Sequence, residues 1–565
     1  MEATSQRPWL GNYPPTVPSD VEHFSQPLFA LLDEAAQHYP DRKALIFQNT
    51  SYTYRQLQEK AEQCAAALRG LGIQEGDKVG VLLPNLPQTA VAFWGILKAG
   101  AIAVMTNPLY QEKELVHHFN DAQVKCLILL DLLWPRVASL RSRLPIETYI
   151  VTSVGEALSF PLNYLYSLKM WRQKSSHTLP ANDPHVLTWR TISKERRRYS
   201  ATIADPTHQP ALLQYTGGTT GLPKGVMLSH ANLGTNATQI LSIIQETAQK
   251  EHRFIALLPF FHVYGLATGL VIPAALAATT LPLPRYVPQD MLQLIAKHRP
   301  TIFPGAPSVY TSLLQQKTLP QYDLKSIQIC ISGSAPLAHE TYRQFQKLTG
   351  AAILEGYGLT EASPITHINY AGEIGSIGVP LPSTQARLID TETGEDVTAP
   401  GQKGELIIRG PQVMQGYWNH AEETTQTLRD GWLYTGDIAT MDEKGFFTII
   451  DRKKDLVLVG GYNVYPREID EVLLEHPKIL EAVAVGIDDA VRGEILKAYI
   501  VPKKGESLTK AEVTAWCREK LASYKVPRHV EFRQELPKTM VGKVLRRALR
   551  EEELAKHAGK HNHVA

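Results

Sequence analysis

Over the first 110 residues, helical and strand patterns alternate, and this alternation constrains the fold more than any other feature. An amphipathic stretch spans residues 57–71, an apolar strand 79–83 and a helix-like run 89–98. Short connectors between such segments demand strands that run parallel with helices packed on them, that is, an α/β protein with a parallel sheet. The rhythm continues through the apolar runs 125–130, 148–151 and 211–215. From 375 to 450 the texture changes to short strands cut by turn residues, at 377–379, 386–389, 404–409 and 445–450. That pattern predicts a small, mostly antiparallel β subdomain.

A charged segment, Asp451-Arg452-Lys453-Lys454-Asp455, precedes about 110 residues with their own mixture of helices and strands. The expected division is therefore a large domain over 1–450, a linker at 451–456 and a small α+β domain over 457–565. With 565 residues, more than one core is expected. The last helical stretch, 551–556, reads as a frayed surface terminus. Lys plus Arg (58) nearly balance Asp plus Glu (56), so no global charge attracts nucleic acid and any anion site must be local. The four cysteines, Cys64, Cys126, Cys330 and Cys517, are far apart and read as buried free thiols of a reducing compartment. The first residues show no basic-then-apolar leader, so a cytoplasmic chain is expected. Residues 254–284 contain no charged side chain, yet four prolines with Gly265 and Gly269 divide them. Buried strands and turns are predicted there, not a membrane span.

One segment breaks the rhythm. Residues 160–199 hold eight lysines and arginines against Asp183 and Glu195, with Tyr164, Leu168 and Trp171 at helical spacing. Charge runs are usually plain solvated surface. An apolar stripe beside basic residues also suits weak peripheral contact with an anionic membrane.

The chemistry concentrates in Tyr215-Thr216-Gly217-Gly218-Thr219-Thr220-Gly221-Leu222-Pro223-Lys224-Gly225, directly after an apolar strand. Glycines let backbone amides converge on an anion, threonines add hydroxyl donors and Lys224 adds positive charge, so the loop is built to grip phosphates. It is not the Gly-Lys-Ser/Thr loop of other nucleotide-binding proteins, because Pro223 precedes the lysine and Gly225 follows it. Further along, Gly333-Ser334-Ala335 and Glu355-Gly356-Tyr357-Gly358 offer small residues and one ring for a flat base. Thr360-Glu361 offers a carboxylate of the kind Mg²⁺ takes when it accompanies phosphates. Asp437 suits ribose hydroxyls.

These motifs, with Phe260-Phe261-His262-Val263-Tyr264-Gly265, Tyr434-Thr435-Gly436-Asp437, Asp451-Arg452, Gly460-Gly461-Tyr462 and the segment from Pro537 to Lys543, resemble in content and order the adenylate-forming superfamily. That superfamily includes acyl-CoA ligases, luciferases and peptide-synthetase adenylation domains, and the resemblance covers nearly the whole chain. It implies a large N-terminal domain followed by a small, mobile C-terminal one. It further implies ATP as substrate, with Thr216, Lys224 and the glycines between them on the phosphates, and Glu361 and Thr216 on Mg²⁺. Adenine would lie between the 333–335 and 355–358 segments, and ribose against Asp437 and Arg452. Phe261, His262, Tyr264 and Gly305 would border the acyl group. By the same resemblance Lys543 reaches the reacting carboxylate, Lys453, Lys454 and Asp455 form the hinge, and Gly460, Gly461 and Tyr462 face the thiol.

The reaction so implied joins a carboxylic acid to coenzyme A through an acyl-adenylate. The opening Pro8-Trp9-Leu10 and the 160–171 segment look like bacterial long-chain fatty-acid-CoA ligases. Medium-chain or aryl-CoA ligases, and enzymes that load a carrier protein, remain as alternatives. A catalytically silent nucleotide-binding protein would be expected to lack Lys543 or Glu361, and both are present. Expected partners are a long-chain fatty acid and coenzyme A, with weak membrane contact and a homodimer left open.

Overall fold

The computed structural model describes residues 7–561, apart from 173–178, 181–182, 217–222, 245–250, 336, 371, 374, 398, 460–461, 490–492 and 540–542. Among the described residues two large sheets dominate. One has nine strands, with a parallel centre made of Lys43–Phe47, Thr279–Pro282, Arg253–Ala256, Ile302–Gly305, Ile329–Ser332 and Ala352–Gly358. The other has eight, centred on Pro210–Thr216, Ile102–Met105, Lys78–Leu82, Val124–Leu130 and Thr148–Thr152, again parallel. Parallel strands need a covering on both faces, and the near-continuous apolar runs of these strands provide for it.

Helix Pro87–Lys98 is buried along its whole length, as a helix enclosed between layers must be. One hydrophobic cluster draws Val79, Val81 and Ala103 from the smaller sheet and Phe254, Ile329 and Ile331 from the larger, so the two sheets share a core. Helix Tyr54–Gly70 packs into the same core and starts at a capping box. Thr53 accepts the Gln56 amide at 3.2 Å and Gln56 accepts that of Thr53 at 3.0 Å, which satisfies two amides that the helix itself leaves unbonded. Helices Pro288–His298, Pro307–Leu314 and His339–Thr349 cover the outer face of the nine-stranded sheet around a second cluster. The predicted α/β layering, antiparallel subdomain and smaller C-terminal domain are all present. The subdomain consists of Gln385–Ile389, Gly404–Arg409, Leu428–Arg429, Trp432–Met441 and Phe447–Arg452, paired antiparallel.

Three expectations need correction. Within 254–284, residues 263–275 are helical rather than turns, with one π-helical turn, Ala267–Val271, between two short α-helical stretches. Gly265 and Gly269 do not break this helix. They let it approach its neighbours, because a Cβ on Gly265 would lie 2.1 Å from the Pro259 carbonyl oxygen and one on Gly269 2.3 Å from the Phe260 ring. The strand predicted at 377–379 is Val379–Pro380 and joins the edge of the nine-stranded sheet, because it pairs with Ile365–Asn369. The final helix is Arg546–His561 and is docked, with Leu549 fully buried against the C-terminal sheet, not frayed. In the basic segment the expected short helix is present as Leu162–Arg172, with Tyr164, Leu165 and Trp171 exposed and none of its residues buried. The four cysteines are free and buried, as expected.

Candidate active site

Strand register assembles the site. Gly305 lies abreast of Ser332, and Ser332 abreast of Glu355, so the segments that follow these strands emerge side by side at their carboxyl ends. Crevices at the carboxyl ends of parallel strands are where α/β proteins bind ligands. Gly333 continues directly from the middle strand, and Ser334 has a left-handed φ of 73° that turns the chain across the crevice. A Cβ at Gly333 would press the Tyr264 ring at 3.1 Å, and one at Gly305 the Tyr310 hydroxyl at 3.0 Å. Tyr264 and Tyr310 both donate to the Ile331 carbonyl, at 2.9 and 3.0 Å, and fill the space between the two glycines.

Tyr357 donates to Asp437 Oδ2 at 2.5 Å, while Arg452 Nε meets Asp437 Oδ1 at 2.6 Å. Asp437 is only 3% exposed, and the pairing Asp437↔Arg452 within the antiparallel subdomain fixes the arrangement. A carboxylate offers about four lone-pair sites, so two remain for hydroxyl donors. Glu355 accepts the Leu337 amide at 3.4 Å, and burial raises its carboxyl pKa.

Glu361 lies in the short turn Thr360–Ala362 behind buried Thr360. Its Oε1 accepts the Tyr417 hydroxyl at 2.9 Å, and its other oxygen has no hydrogen bond among the described residues. One oriented, otherwise free carboxylate packed beside strand Lys224–Ser229 fits what Mg²⁺ requires, since that ion keeps most of its waters and takes one or two protein carboxylates. Thr216 ends its strand next to Lys224, its register partner. Lys224 pairs with Glu423 at 3.0 Å. Gly217, Gly218, Thr219, Thr220 and Gly221 lie outside the described residues, as do Gly460 and Gly461. Tyr462 is 58% exposed and stacks on Tyr524 at 4.5 Å.

His262 caps the helix that follows it, its Nδ1 accepting the Tyr264 amide at 3.3 Å. Burial, helped by the Lys543 charge, lowers its pKa to about 4, so the ring is neutral near pH 7. A neutral ring that accepts at Nδ1 carries its proton on Nε2 and is a donor there. Phe261 offers its carbonyl to Gln214 at 2.6 Å. Ala335 follows Ser334 and is half-buried, while Gly356 and Gly358 belong to the same strand as Tyr357.

Lys543 belongs to the small domain and its side chain is exposed, yet it feels the charges of Arg452 and of Asp437 in the large one. Repulsion from Arg452, followed by the protein packed around it, lowers its pKa to about 8, and Asp437 partly opposes this. The linker is fixed in place as well. Lys453 meets Glu405 at 2.9 Å, and Lys454 has its pKa lowered, chiefly by burial. Sequence reasoning missed Tyr417, Glu423 and Tyr310. Tyr417 could have been suspected from the tight Gly416-Tyr417-Trp418-Asn419 run, whereas nothing local marks Glu423 or Tyr310.

The class follows from this geometry together with two family matches. The AMP-binding enzyme family model matches residues 32–418 and the AMP-binding enzyme C-terminal domain model residues 468–543, so the chain belongs to the AMP-binding enzyme family. Among its relatives is the long-chain-fatty-acid–CoA ligase of Bacillus subtilis, 45% identical over 98% of this chain and 99% of that one. The protein of that name from Escherichia coli O157:H7 is 38% identical over 96% and 98%. Similar solved structures include the anthranilate CoA ligase AuaEII with anthranoyl-AMP, at TM-score 0.82 and 28% identity over 95% of this chain and 98% of that one. ATP-bound MatB of Rhodopseudomonas palustris aligns at TM-score 0.81 and 30% identity over 94% and 99%.

Proposed function

We propose that this protein is a long-chain fatty-acid–CoA ligase that works through an acyl-adenylate. The observation that carries the reading is Lys543 of the small domain held within electrostatic reach of the Tyr357–Asp437–Arg452 group of the large one. The full-length relatives named as long-chain ligases support the choice of acid.

In the first step a carboxylate oxygen attacks the α-phosphorus of ATP, the bond to pyrophosphate breaks, and acyl-AMP forms. Two anions must meet, so positioning and charge neutralisation are the main catalytic needs. Lys543 supplies its ammonium to the approaching oxygens. Thr216 and Lys224, with the glycines and threonines between them, hold the phosphates. The segments 333–335 and 355–358 receive the base, and Asp437 with Arg452 the ribose. Glu361 and Thr216 would hold Mg²⁺, which neutralises phosphate charge. His262 orients the acid through its Nε2–H and is too weakly basic to act as a general base. Phe261, Tyr264 and Gly305 border the acyl group. In the second step the coenzyme A thiol, having lost its proton, attacks the acyl carbon and AMP leaves. The small domain, 457–565, turns about 451–456, with Lys453, Lys454 and Asp455 as hinge, and presents Gly460, Gly461 and Tyr462 to the thiol.

Purified protein with ATP, Mg²⁺, coenzyme A and a graded acid series tests this by AMP release. About 0.8 kcal/mol is available per buried CH₂, so turnover should peak at about twelve carbons or more. Best turnover on acetate or benzoate would transfer the chain to the short or aryl ligases. Peripheral membrane contact is part of the same proposal. Phe160 is 81% and Trp171 70% exposed, with Tyr164 and Leu165 also open, beside Lys169 and Arg172. Each cation near an anionic surface adds about 1 kcal/mol. Co-sedimentation with anionic vesicles should drop when Phe160 and Trp171 become serine; unchanged co-sedimentation would reduce the helix to ordinary surface.

A further inference from the structure

Arg546 has one guanidinium and three carboxylates, and the three lie on different parts of the chain. Asp451 ends a strand of the large domain, Asp455 sits in the linker turn Lys453–Asp455, and Asp470 is on helix Pro466–Leu474 of the small domain. Arg546 Nη1 is 3.8 Å from Asp451 and 3.7 Å from Asp455, while Nη2 bonds directly to Asp470. Its Nε donates to the Ala484 carbonyl at 3.3 Å. Arg550, one turn further along the same helix, reaches the Lys454 and Asp455 carbonyls at 3.4 Å each. Asp451 also accepts the neighbouring Arg452 amide at 2.7 Å and the Arg467 amide of the small domain at 2.8 Å, so the small domain meets this carboxylate at two points.

These contacts fall into two groups. Asp470 and Ala484 travel with Arg546, because all three belong to the small domain. Asp451 stands at the start of the linker but is still paired with Ile438 in the strand ladder of the large domain, so a turn of the small domain about the residues that follow separates it from Arg546. Lys543 lies three residues before Arg546. Its loop closes on itself, with the Thr539 amide donating to the Lys543 carbonyl at 2.8 Å and the Leu545 amide to that of Pro537 at 2.8 Å. The lysine loop therefore moves with the guanidinium.

We propose that Arg546 is a positioning residue, a latch that fixes the linker in the arrangement bringing Lys543 to the large domain and that opens for the second step. Asp470 is its permanent partner, and Asp451 with Asp455 are its partners in the adenylating arrangement only. The inference rests on the reading that Lys543 serves the first step. Loss of the transient partners lowers the population of that arrangement while leaving the small domain's own pairing intact.

The test measures each half-reaction separately in the full chain: ATP–pyrophosphate exchange for the first, and conversion of supplied acyl-AMP with coenzyme A for the second. Asp451→Asn should slow exchange about tenfold, the scale of a weakened contact to a buried charge. Its thioester formation should remain within about twofold of the parent. Arg546→Lys keeps the charge without the planar fork and should fall between parent and Asp451→Asn in exchange. Equal losses in both assays, or no loss in either, would overturn the latch. Lys543→Ala, run alongside, separates the two ideas. Equal losses in that variant overturn the reading of the lysine and the latch with it. A split there, without a split in the aspartate variant, overturns the latch alone.

Discussion

The lowered pKa of Lys543 makes the first half-reaction sensitive to alkali in a way an ordinary lysine would not. Arg452 and the surrounding protein bring the ammonium from 10.5 to about 8. The free enzyme then has about nine tenths of its lysine charged at pH 7, half at 8 and about one tenth at 9, whereas a lysine at 10.5 would stay charged throughout. In the role proposed for Lys543, only the charged form stabilises the meeting of carboxylate and phosphate. The kcat/KM for acyl-AMP formation, which reports ionisations of the free enzyme, should therefore fall about tenfold for each pH unit above 8. Thioester formation from supplied acyl-AMP should move the other way, because more of the coenzyme A thiol ionises as pH rises. Lys543→Ala should lower exchange about a hundredfold and abolish the alkaline limb. Lys543→Arg, however slow, should push the limb out of range, since a guanidinium does not titrate there. The measurement is pyrophosphate exchange at subsaturating ATP from pH 6.5 to 10, with fold checked at each pH. A flat profile to pH 10, or a limb that persists in Lys543→Ala, would refute the assignment of the charge to this lysine.

Tyr417→Phe removes the hydroxyl that orients Glu361, so the Mg²⁺ concentration for half-maximal exchange should rise about tenfold, as when partners of metal-holding groups are lost; an unchanged Mg²⁺ titration would show that the phenol is incidental. Glu423→Gln frees Lys224 from its ion pair, and because such an exposed pair is weak, KM for ATP should fall by no more than about fivefold. A rise in that KM would mean that Glu423 helps to place Lys224. Gly265→Ala drives a Cβ to 2.1 Å from the Pro259 carbonyl oxygen, backbone that cannot swing aside, and should cost about 3 kcal/mol, read as a lower denaturation midpoint.

What could be read from the chain, and what could not, follows from the range of the interactions. The strand before the glycine-rich loop and helix 57–71 carry their signal in hydrophobic period and capping residues a few positions apart, and both were legible. The helix at 263–275 was misread because glycine looks the same in sequence whether it supplies a turn or admits a neighbour's backbone, and Gly265 does the latter. The final helix looked frayed because its buried Leu549 is one apolar residue in a charged run, and its burial depends on a sheet formed far upstream. The phosphate-gripping role proposed for Thr216 to Lys224 rests on residue types alone. Tyr417 on Glu361, Glu423 on Lys224 and the carboxylates around Arg546 join positions tens to hundreds of residues apart. Only the folded strand order decides which of many tyrosines and acids arrive there.

The linker also reports on its own state. Arg452, Lys453 and Lys454 stand in a row, each a cleavage point for trypsin, in a turn overlaid by Arg546 and Arg550 and held by the Glu405 contact. A protease needs several residues of extended, released backbone, so the nick can form only in molecules whose linker has come free. Where opening and closing are fast relative to cutting, the rate of appearance of a fragment ending near residue 453 measures the fraction of molecules in transit between the two arrangements. A non-hydrolysable acyl-adenylate analogue should slow that clock if it favours the arrangement with Lys543 docked, and coenzyme A added afterwards should quicken it. Limited digestion would thus follow the domain turn in unlabelled protein, with a gel band as the only readout.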